Sequence, residues 1–410
     1  MLILCGLIGF SLIFFSRGIL IFLTIICLAV ITIPSFTDIA MQLRWVLFFL
    51  FCLHIFGDIF LGRTVRRIKF FDVLAIVFII YALLSTFYSP YPRLTLERAI
   101  TLLLLYISVF WIIWKYAYDR SPETVINLIL QALAPVFIAG YLMIFVGPYR
   151  PFMLGRFTGV FGNPNNLGVM SSIVLPLILW KFLETRKKTA LFLFLLTLLG
   201  LFLSCARGAM NATALSLGYF IFGRSKKLRP LLFFSFVSFT LIMAWVIESM
   251  IKVYFMSYIR VKTIPILGGR LEIWPMAMNL IMDKPIFGYG FGVEDKLIEF
   301  KHLPVVQHYG RYMHNSYLGM LVQLGILGLI IFFVPLFILL FKELFLRRGS
   351  EAPLLRHALL ASLIAGLICC VYESFIYSVG NPNVLILWII IMLLTFYRYQ
   401  DKAKNMPEGT

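Results

Sequence analysis

One histidine, His314, stands where a polar stretch gives way to a long apolar run, and its residue type suits proton transfer. It opens the segment His314–Asn315–Ser316, and apolar residues then continue to about residue 341. An imidazole has an ordinary pKa of about 6.5, so at neutral pH it can take a proton from a substrate hydroxyl. A histidine at a helix start also serves as a cap or a packing residue, so residue type alone leaves both interpretations open.

Four arginines outside the main basic clusters are candidates for binding an anion: Arg156, Arg207, Arg270 and Arg311. Arginine is always charged, and its planar fork matches two phosphate oxygens at once. Arg207 lies between two apolar runs with almost no loop, where a guanidinium is costly to desolvate without an anionic partner. The alternative is an arginine that contacts lipid headgroups. Several such arginines on one face favour a phosphate site.

Arg270 has a local sequence of its own that favours contact with a ligand. It follows Gly268–Gly269, which lets backbone approach a ligand closely, and it precedes Glu272. The alternative is an ordinary surface pair of Arg270 with Glu272, which is worth about 0–1 kcal/mol. A second acidic candidate, Glu373, ends a later apolar run, and we expect it either to orient an outer arginine or to lie in the site.

Three histidines, His302, His308 and His314, are spaced six residues apart and invite a metal interpretation. Six residues do not place side chains on one helical face, and Pro304 and Gly310 interrupt the run. No carboxylate stands at ligand spacing. We therefore expect no metal ion and no other cofactor.

The elements that hold these residues must be membrane helices. The chain has 410 residues, of which 61% are hydrophobic and only 13% charged, too few for the surface of a soluble fold. Lipid tolerates no unpaired backbone, so repeated apolar runs of about 20 residues indicate a helical bundle. The net charge of +18 is mostly explained by basic loops that fix topology, and we expect no nucleic-acid partner.

The predicted fold is an all-α polytopic membrane protein of one domain, 1–410, with about 12 transmembrane helices. Because the first two apolar segments are short, 13 spans are the alternative. The apolar segments are 1–15, 19–34, 44–61, 70–88, 99–117, 124–146, 166–184, 189–206, 208–223, 231–250, 314–341, 357–378 and 383–397. The first run leads directly into another span, so we expect no cleaved signal peptide.

The basic clusters set the predicted orientation. They are Arg63/Arg66/Arg67/Lys69, Arg186/Lys187/Lys188, Arg224/Lys226/Lys227/Arg229, Arg347/Arg348/Arg356 and Lys402/Lys404. Placing all five in the cytoplasm is self-consistent and puts the C-terminus there as well. The segments 147–165 and 251–312 then lie on the outer side, and so do His314 and the four candidate arginines.

Two local elements are predicted on this outer side. Residues 271–284 are too short and too polar to span, and we expect an interfacial helix anchored by Trp274, Tyr289 and Phe291. The sequence Gly-Asn-Pro-Asn occurs at 162–165 and again at 380–383. Asparagine as N-cap with proline at the first helical position predicts a helix start at each. Paired Asn-Pro motifs also occur in water-channel half-helices, but such folds have fewer spans.

These residues together resemble a known family. His314–Asn315, nine residues, Gly325, two residues and Gly328 fit the His-[Asn/Ser/Gln]-x9-Gly-x2-Gly motif of bacterial O-antigen ligases. The Arg-Gly turn at Arg207, the outer loop with Gly269–Arg270, and the segment 285–290 are similar to the same ligase and polymerase superfamily. The resemblance covers essentially the whole chain. We expect Gly325 and Gly328 to be close-packing positions on the helix that follows the histidine.

The resemblance implies a glycosyltransferase at the periplasmic face of the bacterial inner membrane. Such an enzyme moves a glycan from undecaprenyl diphosphate to a sugar hydroxyl of lipid A–core in lipopolysaccharide biosynthesis. The family roles carry over to His314 as catalytic base and to Arg207 and Arg270 as diphosphate contacts, with Arg156 and Arg311 as further substrate contacts. Fixed guanidinium charge can stabilise the leaving diphosphate without a metal, and attack from the opposite face inverts the anomeric centre.

Other functions fit the same outline. An O-antigen polymerase and a protein O-oligosaccharyltransferase share the superfamily; only 401–410 follow the last span, from which we expect a ligase. About twelve spans also suit a transporter or a lipid flippase. Those proteins usually place ionisable residues near the midplane and carry internal repeats, whereas here the charged candidates gather at one face.

Overall fold

The computed structural model describes residues 16–33, 36–63, 66–145, 151–223, 270–300, 312–345 and 353–404, without the side chains of 270–272, 298–300 and 401–404. Its helices are α1 (Arg17–Val30), α2 (Thr37–Phe60), α3 (Phe70–Leu84), α4 (Pro92–Ile107), α5 (Trp114–Asp119), α6 (Pro122–Leu142), α7 (Pro164–Thr185), α8 (Lys188–Ser204), α9 (Arg207–Phe222), α10 (Arg270–Asp283), α11 (Glu294–Phe300), α12 (Ser316–Leu344), α13 (Leu354–Tyr372) and α14 (Pro382–Lys404). A π-helical stretch, Ser108–Ile113, joins α4 to α5. Two short strands, β1 (Phe152–Met153) and β2 (Arg156–Phe157), pair antiparallel.

The protein is an all-α polytopic membrane protein, as predicted. The described part contains eight helical segments long and apolar enough to span a membrane: Thr37–Phe60, Phe70–Phe87, Pro92–Asp119, Pro122–Leu142, Pro164–Thr185, Ser316–Leu344, Leu354–Tyr372 and Pro382–Gln400. Helices α1 and α8 are shorter apolar helices. The predicted segments 1–15 and 231–250 lie outside the described residues, so the count of about 12 spans stays a prediction.

The most buried membrane helices of the described part are α7, α13 and α14. Small residues allow the start of α9 to approach α7 closely. A Cβ at Gly168 would lie only 2.5 Å from the Ala206 Cβ and 3.0 Å from the Ala209 Cβ. Beside it, the Ser172 hydroxyl donates to the carbonyl of Ala209 at 2.8 Å. This packing fixes the start of α9, which carries Arg207, against α7.

Both Gly-Asn-Pro-Asn motifs begin a membrane helix, as predicted. Asn163 is the N-cap of α7, and its side chain accepts a hydrogen bond from the Asn165 backbone N–H at 2.8 Å. The Asn381 side chain accepts from the Asn383 N–H at 3.0 Å at the start of α14. Proline stands at the first helical position in each case, where no intrahelical N–H bond is lost.

Helix α12 is not continuous, and this corrects the expectation for Gly325. Its φ of +64° and ψ of −164° break the helix after two and a half turns. The backbone groups freed by the break bond to the segment 285–290, where the Ile326 N–H donates to the Pro285 carbonyl at 2.9 Å and the Gly290 N–H donates to the Gln323 carbonyl at 2.7 Å. Gly325 therefore breaks α12, and the segment 285–290 supplies hydrogen-bond partners for the backbone groups that the break frees.

The predicted helix at 271–284 is present as α10, but two of its expected membrane anchors are buried in protein. Tyr289 and Phe291 are each 1% exposed, so the prediction that they anchor in the headgroup region is wrong. Tyr289 packs in a small hydrophobic cluster with Ile273 and Ala277 of α10. Helix α10 and the residues after it therefore pack on the bundle through this small hydrophobic cluster.

Candidate functional site

The backbone at His314 has an uncommon conformation directly before the helix that follows it. Its φ is +48°, in the left-handed region, which histidine enters more readily than most side chains. Asn315 is the N-cap of α12, and its side-chain oxygen accepts from the N–H groups of Tyr317 at 2.9 Å and Leu318 at 3.1 Å. The left-handed conformation costs about 1–3 kcal/mol, and such strain clusters at functional sites.

Glu373 is the partner of His314, which answers the question left open by the sequence. Its Oε2 lies 2.9 Å from His314 Nδ1. The Ser316 hydroxyl donates to the Glu373 carbonyl at 2.7 Å and accepts from the Phe375 N–H at 3.2 Å, which joins the two segments. A carboxylate at Nδ1 holds the proton on that nitrogen, so the lone pair stays on Nε2. That tautomer is the one a general base needs.

The other Glu373 oxygen connects the histidine to Arg156. Glu373 Oε1 accepts from the Asn165 side-chain amide at 2.7 Å. The Asn165 Oδ1 in turn accepts from Arg156 Nη2 at 2.7 Å, and Arg156 Nε donates to the Ser204 carbonyl at 2.8 Å. The residues Arg156, Asn165, Glu373 and His314 form one chain of hydrogen bonds, hereafter the relay.

The structure brings Arg207 to the same end of the bundle. It is the first residue of α9, after Cys205 ends α8 in the left-handed conformation with φ of +49°. A Cβ at the next position, Gly208, would lie 2.5 Å from the ring of Tyr372, the neighbour of Glu373. The first turn of α9, which carries Arg207 and the positive end of the helix dipole, thus lies beside the relay.

The two remaining predicted arginines are placed less fully. Arg270 begins α10, and its side chain lies outside the described residues. One turn later, the Trp274 indole donates to the Met313 carbonyl at 3.2 Å, so the first part of α10 lies against the histidine segment. Arg311 lies outside the described residues, and its substrate-binding role stays a prediction.

A second carboxyl group, Glu294, holds the histidine segment in place, and no sequence pattern pointed to it. Its Oε1 accepts from the Met313 N–H at 2.7 Å and the Ser374 hydroxyl at 2.8 Å. Its Oε2 accepts from the Gln323 amide at 3.1 Å and the Tyr377 hydroxyl at 3.2 Å. Both neighbours along the chain, Met313 before His314 and Ser374 after Glu373, are thereby fixed to one buried group.

Burial governs the electrostatics of Glu294. The side chain lies in the protein interior, and desolvation raises its pKa. The hydrogen bonds from Met313, Ser374 and Tyr377 and the charge of His314 act in the opposite direction. Gly319 makes room for the group, because a Cβ there would lie 2.6 Å from Glu294 Oε2.

The sequence pointed to part of this arrangement. His314, Arg156 and Arg207 were selected by residue type and predicted side of the membrane, and all three lie at this end of the bundle. Asn165 was interpreted only as part of a helix start. Its side-chain amide, in the first turn of a helix at the predicted outer side, could have indicated a place in the site. No sequence signal identified Glu294, because only the tertiary fold brings it next to the segment that carries His314.

The comparisons with known proteins match the part of the chain that contains this site. Residues 192–333 match the family model described as O-antigen ligase, and the range includes Arg207, Arg270, His314 and Gly325.

Two curated relatives extend the match. A putative polysaccharide ligase of Rickettsia felis is 30% identical over 158 residues, which cover 36% of this chain and 38% of the relative. A ComP-specific O-oligosaccharyltransferase of Acinetobacter baylyi is 26% identical over 326 residues, which cover 74% of this chain and 54% of the relative. The chain therefore spans between about a third and about half of the length of such relatives. Over these ranges the chain is therefore similar to proteins of the O-antigen ligase superfamily.

Proposed function

We propose that the protein is an O-antigen ligase: a glycosyltransferase that moves a glycan from undecaprenyl diphosphate to a sugar hydroxyl of lipid A–core at the periplasmic face of the inner membrane. The observation that carries the proposal is the contact of His314 Nδ1 with Glu373 Oε2 at 2.9 Å. The O-antigen ligase model and the relatives named ligase support the reaction class.

In the proposed reaction, His314 Nε2 takes the proton of the acceptor hydroxyl, and the oxygen attacks the anomeric carbon. The new glycosidic C–O bond forms as the bond to the diphosphate oxygen breaks, with inversion. Arg207, Arg270 and Arg311 stabilise the negative charge that develops on the leaving diphosphate, and no metal is required. Arg156 is the fourth proposed diphosphate contact, and its guanidinium also supports the relay.

The decisive experiment is transfer by the purified full-length protein in liposomes, with undecaprenyl diphosphate-linked glycan and lipid A–core. We expect His314→Ala to reduce transfer at least about 10²-fold, the usual contribution of a positioned base. His308→Ala, the same change in the same predicted outer segment, is the control and should transfer normally. Near-normal transfer by His314→Ala would refute the general-base role.

Two further arms test the diphosphate contacts and the metal-free mechanism. Arg207→Ala and Arg270→Ala should weaken use of the donor, and unchanged donor kinetics would argue against a phosphate clamp. Wild-type transfer should persist in the presence of a chelator. Loss of transfer on chelation, with recovery on addition of Mg²⁺, would contradict the metal-independent reaction.

A protein acceptor is the second candidate. The match to the O-oligosaccharyltransferase extends over 74% of this chain, farther than the match to the Rickettsia felis ligase. Acceptor choice separates the two functions, because the donor and the proposed base are the same. A parallel assay with a protein acceptor in place of lipid A–core would show modified protein if this candidate is correct.

A further inference from the structure

Arg44, on the second described membrane helix, is buried without a counter-charge. It lies in α2 and is only 8% exposed. Within the described part of the chain its guanidinium makes no ion pair, and its Nε atom is buried without a hydrogen-bond partner. The centroid of the Trp45 ring lies 5.8 Å from the guanidinium carbon.

Other buried arginines of the bundle are paired, which makes Arg44 an exception that needs a cause. Arg66 lies 3.0 Å from the Asp72 carboxylate, and Arg356 lies 2.9 Å from that of Glu343. A buried guanidinium without such a partner is strongly unfavourable, and in membrane proteins it marks a place where an anion or a polar ligand binds.

The guanidinium is directed at the start of α14, where the surface is open. Arg44 Nη1 lies 3.4 Å from the position of a Cβ at Gly380, and Gly380 itself is exposed. Glycine presents no side chain there, so a ligand can reach the arginine from outside. Three residues farther on, Asn383 is fully buried, and both atoms of its amide lack a hydrogen-bond partner in the described part of the chain.

Two helix dipoles add positive potential at this place. The Asn381 amide donates to the Asn166 side chain at 3.1 Å, which joins the first turns of α14 and α7. Neither first turn contains an acidic residue. Helix N-termini attract anions, and phosphate groups bind there frequently. The positive potential of the two helix ends therefore favours an anion, which is also the ligand that the unpaired guanidinium requires.

We propose that Arg44 and the first turn of α14 bind a phosphate group of a membrane lipid. The site rests on the membrane fold and not on the transfer activity. Its phosphate can come from a polyprenyl diphosphate or from a phospholipid headgroup, and these two sources share the chemistry that Arg44 recognises. A polyprenyl diphosphate at this site would be held by an arginine outside the set Arg156, Arg207, Arg270 and Arg311.

Thermal unfolding of the delipidated full-length protein in neutral detergent tests the proposal. The probes are phosphatidylglycerol and a polyprenyl diphosphate, and the phosphate-free controls are diacylglycerol and polyprenol. We expect a phosphate-bearing lipid, but not its phosphate-free counterpart, to raise the Tm of the wild type by a few degrees. Arg44→Met should lose most of the shift with phosphatidylglycerol. With the polyprenyl diphosphate it should lose only the part that Arg44 contributes, because the proposed donor contacts remain. Without lipid it should melt at or above the wild-type temperature.

Two other variants make the result specific. Arg93→Met removes an arginine whose side chain is 94% exposed, and it should keep the full shift. Arg44→Lys keeps a charge at the site and should retain part of the shift. If Arg44→Met loses part of the shift with the diphosphate alone, the site takes a polyprenyl diphosphate. If it loses the shift with both lipids, the site takes a headgroup phosphate in general. Equal shifts in the wild type and Arg44→Met, or none in either, would overturn the proposal.

Discussion

His314 Nδ1 lies 2.9 Å from Glu373 Oε2, although 59 positions separate the two residues in the sequence. The side chains are 22% and 17% exposed, so substrate can reach them while the contact is shielded from most of the solvent. A charge-assisted hydrogen bond in such a place fixes both the tautomer and the orientation of the imidazole. The pair therefore determines which nitrogen can act on a hydroxyl.

Glu373→Gln tests this pair directly. The amide has nearly the same shape but no charge, so it holds the imidazolium of the transition state poorly. We expect kcat for glycan transfer to fall about 10²-fold, with little change in the donor KM. Glu97→Gln, in which the exposed carboxylate of Glu97 is neutralised, should transfer normally. A Glu373→Gln enzyme with wild-type kcat would show that the contact has no catalytic effect.

The relay predicts that Arg156 and Asn165 act as a unit. Arg156→Gln and Asn165→Leu should each lower kcat about tenfold, because either change leaves a half-buried polar partner without its hydrogen bond, at a cost of about 1–3 kcal/mol. The double variant should be little worse than the worse single variant. Steady-state kinetics for the wild type and the three variants give the coupling directly. Additive losses in kcat would show that Arg156 and Asn165 do not act as a unit. A rise in donor KM for Arg156→Gln alone would support its proposed contact with the diphosphate.

The sequence predicted the fold class, the helix starts at Asn163 and Asn381, and most described helices. These features depend on apolar runs and local capping, which single segments carry. It also selected His314, because an imidazole at the boundary of a predicted span can exchange a proton near neutral pH. The number of spans and the orientation of the protein in the membrane stay predictions.

The contacts between the site residues could not be predicted from local sequence patterns in this way. Glu294 lies beneath His314 only because α11, α12 and the segment after α13 meet, and no local pattern encodes that meeting. The kink at Gly325 was missed because no proline stands next to it and the apolar run continues on both sides, with Gln323 as the nearest polar residue. Tyr289 and Phe291 have the composition of membrane anchors, yet the packing of segment 285–293 against α12 buries them in protein.

Glu294 should make stability depend on pH. Burial raises its pKa in the folded protein above that of an unfolded glutamate, about 4.3. The folded state then holds this proton more tightly, so the resulting stability is complete below about pH 4 and is lost as pH rises through the folded-state pKa. Glu294→Gln cannot titrate. The Tm difference, wild type minus variant, should therefore be largest near about pH 4–5 and smaller at about pH 8.

Melting curves of the two proteins in one detergent, taken across this pH range, measure the effect. Glu97→Gln, measured in parallel, controls for general effects of pH on the detergent complex. A Tm difference that grows with pH would mean that the hydrogen bonds to Glu294 outweigh its desolvation.

The helix break predicts that Gly325→Ala is severely destabilising. A φ of +64° with a ψ of −164° is accessible almost only to glycine, and a Cβ there would lie 2.1 Å from the Ile286 carbonyl oxygen. Relief of that overlap must displace the segment 285–290, and we expect a loss of about 2–4 kcal/mol. Gly57→Ala is the matched control: its Cβ would meet nothing within 4 Å inside α2, and alanine there should be neutral or stabilising by about 0.5–1 kcal/mol. Thermal unfolding of both variants beside the wild type provides the measurement, and a Gly325→Ala protein as stable as Gly57→Ala would mean that α12 is not broken at Gly325.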